Sequence, residues 1–273
     1  MAGRKKRIAI WCAIIIVICI ALYVVVGIIS GGFGERIGVV EIDGVITDGR
    51  QVMEDIVRFK EDKTIKGVII RINSPGGSAA VSQEIYREIK KLKGKKKVYV
   101  SMGAVCASGG YYIAIAGEKI YAMPSTLTGS IGVIMDQIVL EDLLKRIGLS
   151  TDTIKSGPFK DAGSPFRKMK EEERAYFQGL VDDIYQQFVN AVASERGMSS
   201  ERIKPYADGR VFTGKAAKDI GLIDTIGTFY DAVDDLKGIL HIEGRPVLIY
   251  GKRPFSLIKW LMSSLLGKAI DNI

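Results

Sequence analysis

The chain has 273 residues, 47% of them hydrophobic, and a formal net charge of +8. That length supports one domain with a sizeable core. Three cysteines, Cys12, Cys19 and Cys106, exclude a disulfide framework, because two of them lie in an apolar N-terminal run. Positive charge gathers at 4–7 and 87–97. The second run reads as a solvated helix end, and no nucleic-acid-binding signature accompanies it, so nucleic acid is not an expected partner.

A basic tail, 1–7, precedes residues 8–30, IAIWCAIIIVICIALYVVVGIIS, which carry no charge. As a helix this run spans about 33 Å, against about 30 Å for a bilayer core. No small-x-small cleavage site follows, so the run predicts an uncleaved signal-anchor. The basic tail then stays in the cytoplasm, and everything beyond lies outside it. Residues 31–35 are a Gly-rich linker.

The catalytic domain is expected over 36–240. Residues 37–46 read as a strand pair turning near Asp43-Gly44, and 50–62 as a helix. A buried strand follows at 67–72, a helix at 78–92, and a strand at 98–102. A helix begins near Ser108. Short strands are expected at 120–122, 131–134 and 151–154, with helices at 138–147 and 171–196. Strands alternating with helices predict an α/β fold with a parallel sheet under helical cover. The remainder, 241–273, is a C-terminal extension. Its stretch 254–268 predicts an amphipathic helix that lies in the headgroup layer or docks on protein.

Two Gly-rich loops follow two of the strands, Asn73-Ser74-Pro75-Gly76-Gly77-Ser78 and Ala104-Val105-Cys106-Ala107-Ser108-Gly109-Gly110. Ligands bind at such C-terminal strand ends. Ser108, at a strand-to-helix turn, is exposed for attack, and the N–H groups of Gly77 and Gly109 suit a developing oxyanion. Cys106 reads as a small buried hydrophobe. A serine nucleophile needs a base. The one histidine, His241, lies far along the chain, which disfavours a Ser-His-Asp arrangement. Lysine is the alternative base, provided its site lowers its pKa from about 10.4 toward 7–8. The loop 155–165 offers two, Lys155 and Lys160, and composition does not choose between them. The chemistry requires no metal and no cofactor.

Five motifs in order carry a resemblance: NSPGG at 73–77, CASGGYY at 106–112, TGSIGV at 128–133, SGPFKDAGSP at 156–165 and ADGRVFTGKAAKDIGLID at 207–224. They resemble the signal peptide peptidase A family of Ser/Lys peptidases, within the crotonase-like superfamily that includes the Clp proteolytic subunit. The resemblance implies repeated ββα units, Ser108 as nucleophile and Lys160 as base. It implies that Ser130 orients the lysine and that Gly76, Gly77 and Gly109 form the oxyanion hole. The chain matches the family's half-length type. Full-length relatives carry lysine on one domain and serine on the other, which implies a ring-shaped homo-oligomer with shared sites. The implied substrates are signal peptides or other hydrophobic peptides at the lipid surface. Competing readings are a regulatory membrane peptidase with one protein substrate, a crotonase-like acyl-CoA enzyme, and a non-catalytic scaffold.

Overall fold

The computed structural model describes residues 2–29 and 34–251; in the first stretch, side chains are described for 10–25. Those side chains belong to α1 (Ala2–Ile29), and all of them are exposed. Among the described residues, no helix is long and apolar enough to cross a membrane. The expected anchor, 8–30, and linker, 31–35, run beyond the described residues, and the expected helix at 254–268 lies wholly outside them.

The centre of the domain is set by β2 (Ile65–Ser74). Its Val68, Ile69, Ile70 and Ile72 are wholly buried, so both faces of the strand need cover. On one face Val68, Ile70 and Ile72 pack with α2 (Arg50–Glu61) and α3 (Ala79–Lys93), through Ile56, Phe59, Ile85, Ile89 and Leu92. On the other face Ile69 joins Ile37, Tyr99 and Tyr121 under Ala232, Val233 and Leu236 of α9 (Phe229–Ile239).

Around β2 the sheet runs β6 (Val211–Thr213), β5 (Leu127–Gly129), β3 (Lys97–Ala107), β2, β1 (Arg36–Asp43), β8 (Val247–Tyr250). β4 (Lys119–Ala122) and β7 (Thr225–Ile226) branch from β3. Every pairing is parallel except β5 with β6. The remaining helices are α4 (Gly109–Ala114), α5 (Glu141–Arg146), α6 (Glu171–Arg196), α7 (Ser200–Ile203) and α8 (Gly214–Asp219).

Several expected elements differ. The strand pair at 37–46 is one strand, β1, followed by a lone bridge from Ile46 to Gly77. Strands at 131–134 and 151–154 are absent, and the helix at 138–147 shrinks to α5. A short apolar run becomes a strand only beside a partner. This stretch has none, and Ile134 (85%), Ile138 (74%) and Ile154 (99%) stand exposed. The sheet also continues past residue 240, where an extension was expected, because β8 pairs with β1 and Gly251 N–H donates to Val39 O at 2.9 Å.

Ile72→Ala should lower stability by about 2–5 kcal/mol, since the vacated space is enclosed by sheet and helices. A shift of the urea midpoint with an unchanged slope measures it.

Candidate active site

β3 outruns the strand beside it. Its first half pairs with β4, from Tyr99 opposite Lys119 to Ser101 opposite Tyr121. Its last residues pair instead with β5: Val105 with Leu127, Cys106 with Thr128, Ala107 with Gly129. The pairing is tied twice more. Ser108 N–H donates to Gly129 O at 2.9 Å. The buried Thr128 hydroxyl donates to Cys106 O at 2.7 Å. The two strands therefore end side by side, and the next residues are Ser108 and Ser130.

Both serines lie in the left-handed region, with φ 51° at Ser108 and 50° at Ser130. Such backbone costs about 1–3 kcal/mol per residue and persists where surrounding bonds fix it. Tyr112 N–H donates to Ser108 O at 2.9 Å, and Ser130 N–H donates to Arg210 O at 2.9 Å. Arg210 in turn is held by Asp208, whose carboxylate accepts from Nε at 2.8 Å.

The 73–78 loop closes against this turn. Ile46 N–H donates to Gly76 O at 2.9 Å, and Ser78 N–H donates to Ile46 O at 2.7 Å. A Cβ at Gly77 would stand 2.2 Å from Ile46 O, and one at Gly76 would stand 2.8 Å from Gly109 N. Gly76 also has φ +105°, which L side chains rarely adopt. Only bare backbone fits between the two loops. The N–H of Gly76 is taken by Ser74 Oγ at 3.0 Å. The N–H groups of Gly77 and Gly109 have no hydrogen-bond partner among the described residues.

Ser108, Ser130, Gly77 and Gly109 line one cleft of about 830 Å³. Its wall is mainly apolar, with Ile134, Met135, Tyr112 and Phe188, and also carries Gln83, Asp182 and Asp208. Tyr112 packs between Tyr86 and Phe188, with ring centroids 5.2 and 5.1 Å away. Cys106 faces the core and is wholly buried, and burial pushes its thiol well above the ordinary range. It is no rival nucleophile. His241 follows α9 and sits between Leu240 and Ile242, which pack on the opposite face of the sheet from the cleft.

Neither lysine lines the cleft. Lys155 Nζ donates to Pro158 O at 3.0 Å and forms an ion pair with Asp161. The Lys160 ammonium is exposed and has no hydrogen-bond or ion-pair partner among the described residues. Their loop is fastened to the first turn of α6. Arg167 donates from Nε to Asp161 at 2.9 Å and from both terminal nitrogens to Glu173, at 2.8 and 2.5 Å. Glu173 is 1% exposed and also accepts from Lys170 N–H at 3.0 Å. Hydrogen bonding from Arg167, then Lys155, holds Asp161 below the usual carboxylate range. Arg167 and the Lys170 N–H lower Glu173 to about 2. From Glu173 to Val181, the first residue of α6 that lines the cleft, the helix advances about 12 Å. A single copy thus brings Ser108, Ser130 and the two free N–H groups together, and leaves Lys160 elsewhere.

Ile46, Asp161, Arg167, Glu173 and Arg210 were not singled out from sequence. The glycine pair at 76–77 signalled a close approach but not its partner. Glu173 falls three residues after Lys170, a capping position, but without the Ser or Thr that marks a capping box.

Comparison with known proteins agrees with this architecture. The family model described as Peptidase family S49 matches residues 90–242, and one described as Clp protease matches 36–128. A protein named as a protease in Synechocystis sp. is 44% identical over 199 residues, covering 72% of this chain and 72% of that one. One named as a signal peptide peptidase in Enterococcus faecium is 38% identical over 235 residues, covering 81% and 68%. The chloroplastic serine protease SPPA of Arabidopsis thaliana is 36% identical over 248 residues, covering 89% of this chain and 36% of its own. Among solved structures, a ClpP1 mutant from Listeria monocytogenes is 21% identical with TM-score 0.50, covering 71% of this chain and 94% of that one. The last likeness is one of fold.

The carboxylates that fasten the lysine loop set its response to acid. Both have lowered folded-state pKa values, so their contribution is complete above the unfolded values and fades as pH falls through the folded ones. For Glu173 that window runs from about 4.5 down to about 2. Pepsin cleavage within 155–173 should therefore rise steeply as pH falls from 4.5 to 2, ahead of cleavage in β2 or β3. A loop equally resistant at both ends of that range would contradict it.

Proposed function

The chain belongs to peptidase family S49, and from that premise we propose that it is a membrane-anchored serine endopeptidase in which Ser108 attacks and Lys160 of a neighbouring copy is the general base. One observation carries the reading. Ser108 stands on strained backbone and shares one cleft with Ser130 and with two glycines whose N–H groups have no partner among the described residues.

The chemistry follows from that placement. As Ser108 Oγ bonds to a peptide carbonyl carbon, its proton passes to a neutral lysine amine. The carbonyl oxygen takes up negative charge against the Gly77 and Gly109 N–H groups, which need no reorganisation to receive it. Gly76 shapes the loop, since its own N–H is committed to Ser74. Lysine then returns the proton to the departing amine. Water, deprotonated by the same lysine, releases the acyl group from Ser108. The Ser130 hydroxyl orients the amine throughout, as the third member of a triad does.

A neighbour is proposed because Lys160 does not line the cleft of its own copy. The uncovered apolar residues Ile134, Ile138 and Ile154 support the same assembly, since such surface favours a partner. A ring of identical copies sharing sites is the proposed form. Residues 8–30, uncharged and about 33 Å long as a helix, support a single-pass anchor with the N-terminus cytoplasmic and the catalytic domain outside. The mainly apolar cleft wall supports hydrophobic substrates, such as signal peptides left in the bilayer. The acyl-CoA and scaffold readings leave the strained serine without a role.

Fluorophosphonate should label Ser108. Ser108→Ala and Lys160→Met should each remove peptidase activity, and Lys155→Met should retain most of it, because Lys155 is already paired. Mixed assemblies of the two inactive chains should regain part of the activity. Verified mixed assemblies that stay inactive would rule out sharing, and full activity in Lys160→Met would rule out the base.

A further inference from the structure

Arg167 is the most heavily engaged side chain in the arm that carries the lysines. It makes five hydrogen bonds: Nε to Asp161 Oδ2 at 2.9 Å, Nη1 to Glu173 Oε2 at 2.8 Å and to Lys168 O at 3.1 Å, Nη2 to Glu173 Oε1 at 2.5 Å and to Asp161 O at 3.1 Å. A guanidinium has five N–H donors, so none is left over. Two of these bonds reach Asp161, one to its side chain and one to its backbone. Asp161 is the residue after Lys160, and its other carboxylate oxygen holds Lys155.

We infer that Arg167 is the positioning residue for Lys160: it fixes the loop to α6 through Glu173 and keeps Lys155 occupied through Asp161, leaving Lys160 as the amine free to enter an active site. The inference rests on the proposal that Lys160 is the base.

The physical reason is reach. A lysine has a flexible four-carbon stem and loses much of its rotamer freedom when held. Its amine can be placed in a second copy only if its Cα is already fixed. Apolar contact supplies only part of that fixing: the Phe159 ring meets Tyr176 of α6 with centroids 5.3 Å apart, but Phe159, Phe166 and Tyr176 are all substantially exposed. The guanidinium supplies the directional part, because its planar fork meets Glu173 with two parallel bonds and leaves Nε for Asp161. Lysine in place of Arg167 would keep the charge and lose that fork. The same bracket accounts for the choice between two lysines five residues apart. Asp161 accepts from Lys155, and no described acceptor faces Lys160.

The test uses the full chain and an alkyl fluorophosphonate, whose reaction rate with Ser108 reports the base without requiring turnover. Arg167→Lys should slow labelling at least tenfold and lower kcat on an apolar fluorogenic peptide by a similar factor, with KM changed less than twofold. In a Lys160→Met background the same substitution should cost nothing further, since Arg167 acts through Lys160. Asp161→Asn is the second variant. It is isosteric, spares the Arg167–Glu173 pair, and should also slow labelling by releasing Lys155. Native mass measurement on each variant identifies those that assemble. An assembled Arg167→Lys or Asp161→Asn chain that labels at the parent rate overturns the inference, even if its melting temperature falls. Additive losses in the Lys160→Met background overturn it as well. Labelling of Lys160→Met at the parent rate would instead sink the base assignment, an outcome separable from the others.

Discussion

The site depends on one feature of the sheet: β3 is longer than its neighbour β4, and β5 pairs with the remainder. Paired strands lie about 4.8 Å apart. Two strands ending level must therefore deliver their next residues as neighbours. Here those residues are Ser108 and Ser130, and both leave the strand through the left-handed region. Neither turn is favourable alone. Each is held by a hydrogen bond at or next to a strand end, to Gly129 O and to Arg210 O. The strained serine is thus supported by the most deeply buried part of the molecule, where Ile70, Ile72 and Cys106 admit no solvent.

The cleft wall beside Ser108 is held by backbone contacts as well. Beyond the end of β1, Ile46 makes a lone bridge to Gly77, and this bridge holds the loop whose Gly77 lines the cleft. Preorganised donors matter because charge stabilisation at the transition state is largest where no dipole has to turn. Glycine at 76 and 77 is demanded by the neighbouring backbone rather than by flexibility. Side chains there would collide with Ile46 O or Gly109 N.

The arm from 131 to 170 is organised on another principle. Beyond the buried Ile131 and the Phe159–Tyr176 contact it has little apolar packing, and its prominent ties are charged: Lys155, Asp161, Arg167 and Glu173 in series, ending on a carboxylate that is almost fully buried. Such a network is stable only when every member is satisfied. Amines shed their proton near neutral pH where water is kept away. A copy docked over the arm would provide both the apolar cover it lacks and the dry surroundings a lysine base requires. Assembly and activation would then be one event.

Much of this was legible in the chain itself. Helices α2, α3 and α6 announce themselves by spacing, and the central strands by unbroken apolar runs. Both depend on local pattern. The candidate nucleophile Ser108 was visible in the sequence because a serine among glycines after a strand has few structural uses, and His241 was set aside on its distance along the chain alone. The failures share a cause. Segments 131–134 and 151–154 have strand composition but no strand to pair with, and β8 was overlooked because four residues far from β1 carry no sign of their partner. Which N–H groups lack a partner among the described residues, which lysine is already paired, and that Lys160 stands outside the cleft lined by Ser108 were decided by the tertiary structure alone. Those properties are set by register and by contacts between residues distant in sequence, and no local pattern encodes them.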